Sequence, residues 1–188
     1  MFRYLLKLSI TSCCLLITSV VAHAQKGDSK KDSVKVQPQT YLQLYYSLTN
    51  TAGTLAGKSN LSLEAGKQWD VFSLGIDIGK TTLEPAHGRD TSIYLEIRPN
   101  LNVFQQGRFT NTITVGVGYV FAAQNNFLTE LTSGIEYSAT ERLHLNVNFG
   151  QFYYSGRTTA FSNTFFGLSA SYYFKPFRNR SSIFKPRG

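Results

Sequence analysis

From Glu141 to Gly150 the chain alternates without a break. Leu143, Leu145, Val147 and Phe149 take one parity, and Arg142, His144, Asn146 and Asn148 take the other. A β-strand sends successive side chains to opposite faces, so this stretch predicts a strand with one apolar wall and one polar wall. Seven further runs repeat the pattern: Thr40–Leu48, Asn60–Gly66, Val71–Lys80, Thr91–Phe104, Phe109–Phe121, Phe127–Tyr137 and Thr164–Phe174. In Val71–Lys80, for example, Phe72, Leu74, Ile76 and Ile78 share the apolar parity. No window of comparable length favours a 3.6-residue period, which predicts low helix content.

The connections alternate in length. Lys67–Asp70, Gln105–Arg108 and Ser138–Thr140 read as tight turns. Asn50–Lys58, Thr81–Asp90, Ala122–Asn126 and Gln151–Asn163 read as mostly longer loops in which Gly, Pro, Asn and Thr are common. Eight antiparallel strands with short turns at one end and longer loops at the other form an up-and-down barrel. Pro99 falls inside the fourth run; it has no amide proton to give a ladder, so it predicts a bulge or local break there.

Alternation alone fits two opposite objects. A soluble barrel turns its apolar wall inward, and a membrane barrel turns it outward. The polar parity favours the second. Water-facing strands usually carry Lys and Glu freely, yet Lys67 and Lys80 lie only at run ends. The polar wall is largely Ser, Thr, Asn and Gly, among them Ser62, Ser73, Gly75, Thr112, Thr114, Gly116, Gly118, Gly134, Asn146, Asn148, Gly167, Ser169 and Ser171. Small side chains suit the crowded interior of an eight-stranded barrel. Strands of about ten residues, tilted by ~40°, rise about 25 Å, the height of an outer-membrane apolar band. Aromatic residues also gather near run ends: Tyr41, Tyr46, Trp69, Phe72, Phe104, Phe109, Phe121, Phe127, Phe152, Tyr172 and Phe174. That is where interfacial girdles sit. The predicted fold is all-β, an eight-stranded antiparallel up-and-down transmembrane β-barrel.

Over Thr40–Phe174 the chain resembles the small OmpA/OmpX-type outer-membrane barrels of Gram-negative bacteria. The resemblance is one of pattern. The run Gly167-Leu168-Ser169-Ala170-Ser171-Tyr172-Tyr173-Phe174 is similar to that family's terminal assembly signal, which alternates and ends in an aromatic residue. In the family that signal usually ends the chain, whereas here Lys175–Gly188 follows. The resemblance implies insertion by the outer-membrane assembly machinery, contact with outer-membrane lipids, a monomeric state and both termini in the periplasm.

The ends of the chain fit that setting. Arg3 and Lys7, an apolar stretch from Leu8 to Val21 and Ala22-His23-Ala24 before Gln25 make residues 1–24 a secretory signal peptide. Cys13 and Cys14 lie inside it, so the mature chain is expected to hold no thiol, disulfide or cysteine metal site. Residues 25–38 are mostly Lys, Asp, Ser and Gln and read as a disordered periplasmic leader. The barrel is expected over 39–175 and a basic tail over 176–188. The formal charge is +8, but it is concentrated in the two ends, and the body between them is close to neutral. That argues against a nucleic-acid surface, which needs a basic stripe on a folded scaffold.

Charged residues on the polar parity are Glu64, Asp77, Glu96, Arg98, Glu130, Glu136, Arg142 and His144. Inside a barrel such groups must pair or neutralise, so they are expected to form an interior network that plugs it. The other reading of the same residues is a polar conduit. His144 near Glu130, Glu136 or Glu141 has the ingredients of acid–base chemistry, but no convincing Ser/His/acid set is evident, and no enzyme is expected. His87, with only Glu84 and Asp90 close by, does not make a metal site, and no cofactor or metal is expected. Gly79-Lys80-Thr81 lacks the upstream glycine and following helix of a phosphate loop. Tyr153, Tyr154 and Arg157 form a candidate binding tip on an exposed loop, with outward girdle positions as the plainer reading of Phe152 and Tyr154. Three functions follow: a structural or surface-interaction barrel acting through its loops, a small pore or transporter or binder of an amphipathic ligand within the barrel, and a soluble secreted ligand-binding barrel.

Overall fold

The computed structural model describes residues 38–51, 54–83, 90–121, 126–155 and 161–175. Eight strands follow one another: β1 (Gln39–Thr51), β2 (Thr54–Trp69), β3 (Phe72–Leu83), β4 (Asp90–Gln106), β5 (Phe109–Phe121), β6 (Asn126–Ser138), β7 (Leu143–Ser155) and β8 (Phe161–Tyr173). Each pairs antiparallel with its neighbours, and β1 pairs with β8 from Tyr41↔Tyr173 to Asn50↔Thr164, closing the barrel in the order β1 to β8. The expected signal segment 1–24, the leader as far as residue 37 and the tail 176–188 lie outside the described residues, as do His87 and Arg157.

Three short turns share one end of the barrel. Trp69↔Phe72 closes around Asp70 and Val71, with Asp70 at φ 44°. Gln106↔Phe109 closes around Gly107 and Arg108, with Gly107 at φ 58°. Two-residue hairpins need this left-handed backbone because it matches strand twist, and Asp and Gly tolerate it. The β6–β7 turn is longer. The Thr140 hydroxyl caps it, accepting the amides of Arg142 at 3.2 Å and Leu143 at 2.9 Å.

Several strands outrun the alternation that announced them. β1 and β2 stay paired to Thr51↔Thr54, so the expected long first loop shrinks to residues 52–53. β7 continues past Gly150 to Ser155, into what the sequence reads as loop. Around Pro99 the β4–β5 ladder has a gap between Ile97↔Val117 and Asn100↔Thr114 but keeps its register; the shift comes later, between Asn102 and Phe104. The proline without an amide proton therefore marks a local break in the pairing, not a bulge, while still opposite Leu74 of β3.

The apolar parity faces outward. Ile76 is 56 % exposed and Val147 46 %, whereas Glu96 is 1 % and Arg98 3 %. Each large apolar side chain gains about 1.5–3 kcal/mol on leaving water completely. A continuous outward band from Leu42 and Leu44 round to Leu168 and Tyr172 is therefore far beyond the scattered exposure normal for a water-soluble monomer. Lys67 and Lys80 also point outward, near the ends of that band. Two aromatic residues expected at the outer girdle, Tyr41 and Phe152, instead point into the barrel and are 4 % exposed. Their parity matches Gln43 and Gly150, not the neighbouring leucines, and the alternation holds to the strand ends.

Candidate functional site: a lumen sealed in two layers

The half of the lumen nearer the short turns is built around Arg98. It reaches from β4 to acids two strands away on either side. Nη1 donates to Glu64 Oε2 of β2 at 2.7 Å, and Nη2 donates to Glu130 Oε1 of β6 at 2.8 Å. The Tyr41 hydroxyl donates to the other Glu64 oxygen, and the Thr132 hydroxyl donates to Glu130. Charge-assisted bonds of this kind are the strong ones, and the planar guanidinium suits two acids at once. All of these residues are buried.

Glycines on the polar parity make room for the acids. A methyl group on Gly75 would collide with the Glu64 carboxylate, and one on Gly116 with that of Glu96. An eight-stranded barrel has little width to spare, so each long acidic side chain lies over a neighbour that has none. Asp77 Oδ2 accepts the Tyr94 hydroxyl at 2.7 Å. Nearer the turns, His144 Nδ1 lies 2.8 Å from Glu136 Oε1, and its ring packs on Tyr173 at 4.7 Å. The Tyr173 hydroxyl donates to Gln68 Oε1 at 3.3 Å. A polar cavity of about 20 Å³, lined in part by Gln43, Asn100, Asn146 and Asn148, lies among these groups. That is room for about one water molecule.

The half nearer the long connections is sealed differently. Tyr45, Tyr94, Val120, Leu128, Phe152, Tyr154 and Phe165 form one buried cluster inside the barrel. Phe152 and Phe165 stack at 4.3 Å, and Tyr45 meets Phe165 edge-on at 6.2 Å. Tyr154 and Thr81 share a hydrogen bond of 3.1 Å. Tyr45 also joins the two layers, since the Arg98 guanidinium carbon lies 5.4 Å from its ring centre, within range of a cation–π contact.

Seven residues of the expected network, Glu64, Asp77, Glu96, Arg98, Glu130, Glu136 and His144, point into this lumen. Arg142 does not. It is exposed in the β6–β7 turn, where Nη1 lies 3.5 Å from the Tyr172 hydroxyl. Alternation puts a side chain inside only within a strand, and β7 begins one residue later. Arg157 of the expected binding tip lies outside the described residues, and the two tyrosines of the tip do not share a face. Tyr153 faces outward and donates to Gln151, which in turn donates to Ser162 at 3.1 Å. Tyr154 is 1 % exposed inside the barrel. Because β7 runs on to Ser155, Tyr153 and Tyr154 fall on opposite walls.

The aromatic layer is what sequence reasoning missed. Its signal was present: Phe152 and Tyr154 continue the parity of His144, Asn146 and Asn148, and Phe165 shares the parity of Gly167 and Ser169. His144 has an acid on Nδ1, but among the described residues its Nε2 meets no hydroxyl, and Ser171, opposite it on β8, donates to Gln43 at 2.7 Å instead. The three do not form a relay. Among the described residues, no group of three or more His, Cys, Asp and Glu side chains is placed to hold a metal ion.

No family model and no curated protein matches the sequence. Solved structures do resemble the fold. Outer membrane protein H (OprH) of Pseudomonas aeruginosa superposes with a TM-score of 0.56 at 12 % identity, covering 72 % of this chain and 99 % of that one. The N-terminal β-barrel domain of Pseudomonas aeruginosa OprF gives 0.52 at 12 % identity, with 73 % and 100 % covered. Neisserial surface protein A gives 0.50 at 12 % identity, with 72 % and 95 % covered. The chain thus has the closed eight-stranded barrel fold of small outer-membrane proteins.

Proposed function

We propose that this chain is an outer-membrane barrel with a structural or surface-interaction role, exercised through its long connections rather than through its lumen. The observation that carries this reading is the inversion of the walls: apolar side chains outside, with ionic and aromatic layers filling the inside. Hydrocarbon is the solvent that suits such an outer wall, and a closed barrel leaves no unpaired edge within it. The fold shared with OprH and the OprF barrel domain supports the same location.

The short-turn end, where β1 starts and β8 finishes, faces the periplasm in this reading, because outer-membrane barrels carry short turns on that side. The barrel acts as a monomer, inserted by the outer-membrane assembly machinery. Neither a pore nor an enzyme is favoured: the cavity within the ionic layer has room for about one water, and among the described residues no hydroxyl meets His144 Nε2. A soluble ligand-binding barrel would need the opposite wall arrangement.

Two measurements test this. Cell fractionation is expected to recover the protein with outer membranes, and recovery in the soluble periplasm would overturn the location. Planar-bilayer recording of the refolded protein is expected to show no steady conductance. A stable single-channel current would overturn the sealed lumen and restore the pore.

A further inference from the structure

Exposed cations mark the short-turn end on four sides. Lys67 stands near the end of β2, Arg108 in the β4–β5 turn, Arg142 in the β6–β7 turn and Lys175 just after β8. Arg142 also has exposed rings beside it, Tyr172 and Phe174, and contacts the Tyr172 hydroxyl; Arg108 differs in standing over an open notch. An open notch there is formed by Gln106, Gly107, Arg108, Phe109 and Tyr137. Its floor is the Phe109 and Tyr137 rings, 5.1 Å apart on neighbouring strands, with Phe109 54 % exposed. Its rim carries the exposed Arg108 side chain and the exposed Gln106 amide. Among the described residues no acid forms an ion pair with Arg108.

We propose that this notch is a binding site for one anionic phospholipid of the turn-side leaflet. The root of an acyl chain lies along Phe109 and Tyr137, the phosphate meets the Arg108 guanidinium, and the glycerol oxygens meet Gln106. Charge complementarity selects the ligand. A guanidinium with no acid partner among the described residues, at the edge of an apolar wall, fits a phosphodiester, to which it can donate two parallel hydrogen bonds. The aromatic floor selects a lipid over a free phosphate, because rings at headgroup depth are apolar on one side and wet on the other. The inference rests on the membrane reading above.

The test uses the full-length mature chain, folded in detergent, with phosphatidylglycerol and phosphatidylcholine of identical acyl chains in equal amounts. Native mass spectrometry reads which lipid is retained. Wild type is expected to keep phosphatidylglycerol several-fold over phosphatidylcholine. Arg108→Gln is expected to bring the two to parity, and Phe109→Ala to reduce retention of both. Excess glycerol 3-phosphate is expected not to displace the lipid. Heat-modifiable migration on gels verifies that each variant is folded.

Parity in wild type would overturn the proposal, and so would a preference that survives Arg108→Gln but disappears in Arg142→Gln. Displacement by glycerol 3-phosphate would make the notch a phosphate-group site and overturn the lipid. If wild type failed to insert into vesicles of either composition, the membrane reading itself would fall. Insertion without lipid preference would sink only the notch.

Discussion

The two halves of the lumen are closed by opposite means on one scaffold. Below, Arg98 holds Glu64 and Glu130 in a fully buried ionic bridge. Above, Phe152, Phe165, Tyr45 and their neighbours exclude water by ring packing. The ionic bridge is exacting, because Arg98, Glu64 and Glu130 are tolerable as buried charges only while they are together. The aromatic half is graded: a smaller ring leaves a void whose cost scales with its volume. The barrel thus combines a layer that fixes which strands face one another with a layer that fills space.

The sharpest way to break this contrast is to remove its central cation. Arg98→Met leaves two carboxylates buried without their cation and is expected to destabilise the barrel by about 3–5 kcal/mol, measured by urea unfolding in lipid vesicles. Removing the charges together, as Arg98→Met with Glu64→Gln and Glu130→Gln, is expected to recover most of that loss. If Arg98→Met cost under about 1 kcal/mol, the bridge would not be what secures the lower half. In the upper half, Phe165→Ala is expected to cost about 3 kcal/mol in the same assay, with no comparable rescue from changing charges. Combining it with Arg98→Met asks whether the halves are independent: Tyr45 touches both, so a coupling above about 0.5 kcal/mol is expected.

How far the sequence disclosed these features depended on which physical rule each residue obeyed. Phe109–Phe121 coincides with β5 because its alternation and both flanking turn signals agree. Glu64, Asp77, Glu96, Arg98, Glu130, Glu136 and His144 were placed inside by parity, since a charge on the polar wall of a membrane barrel has nowhere else to go. The partners of Arg98 were not legible, because β2 and β6 become its neighbours only when the barrel closes. Composition misleads at Tyr41 and Phe152: an aromatic residue near a strand end suggests a girdle, and here the strict period of two prevails over residue type; the same period takes Tyr154 out of the expected loop tip. Arg142 failed the other way, as parity was carried one residue beyond the start of β7.

A single atom changed in each half gives a finer comparison. Tyr41 donates its hydroxyl to Glu64, so Tyr41→Phe leaves a buried carboxylate oxygen without that donor and is expected to cost about 1–3 kcal/mol. Among the described residues the Tyr45 hydroxyl has no hydrogen-bond partner, so Tyr45→Phe is expected to change stability by less than about 0.5 kcal/mol. Equal losses in the two variants would mean that the Tyr45 hydroxyl, like that of Tyr41, makes a polar contact in the folded barrel.

The smallest effect is the most direct check on which arginine belongs to the lumen. Arg98 and Arg142 share residue type and both fall on polar positions of the alternation. They differ in surroundings: Arg98 is 3 % exposed between two acids, while Arg142 is exposed in a turn with its Nη1 3.5 Å from the Tyr172 hydroxyl. Water and headgroups screen an exposed guanidinium, and a weak contact at that distance adds little. Arg142→Gln is therefore expected to shift the urea midpoint by an amount equivalent to less than about 0.5 kcal/mol. A loss approaching that of Arg98→Met would put Arg142 inside after all, and the ionic layer would then need an acid for it that the present arrangement leaves to Arg98 alone.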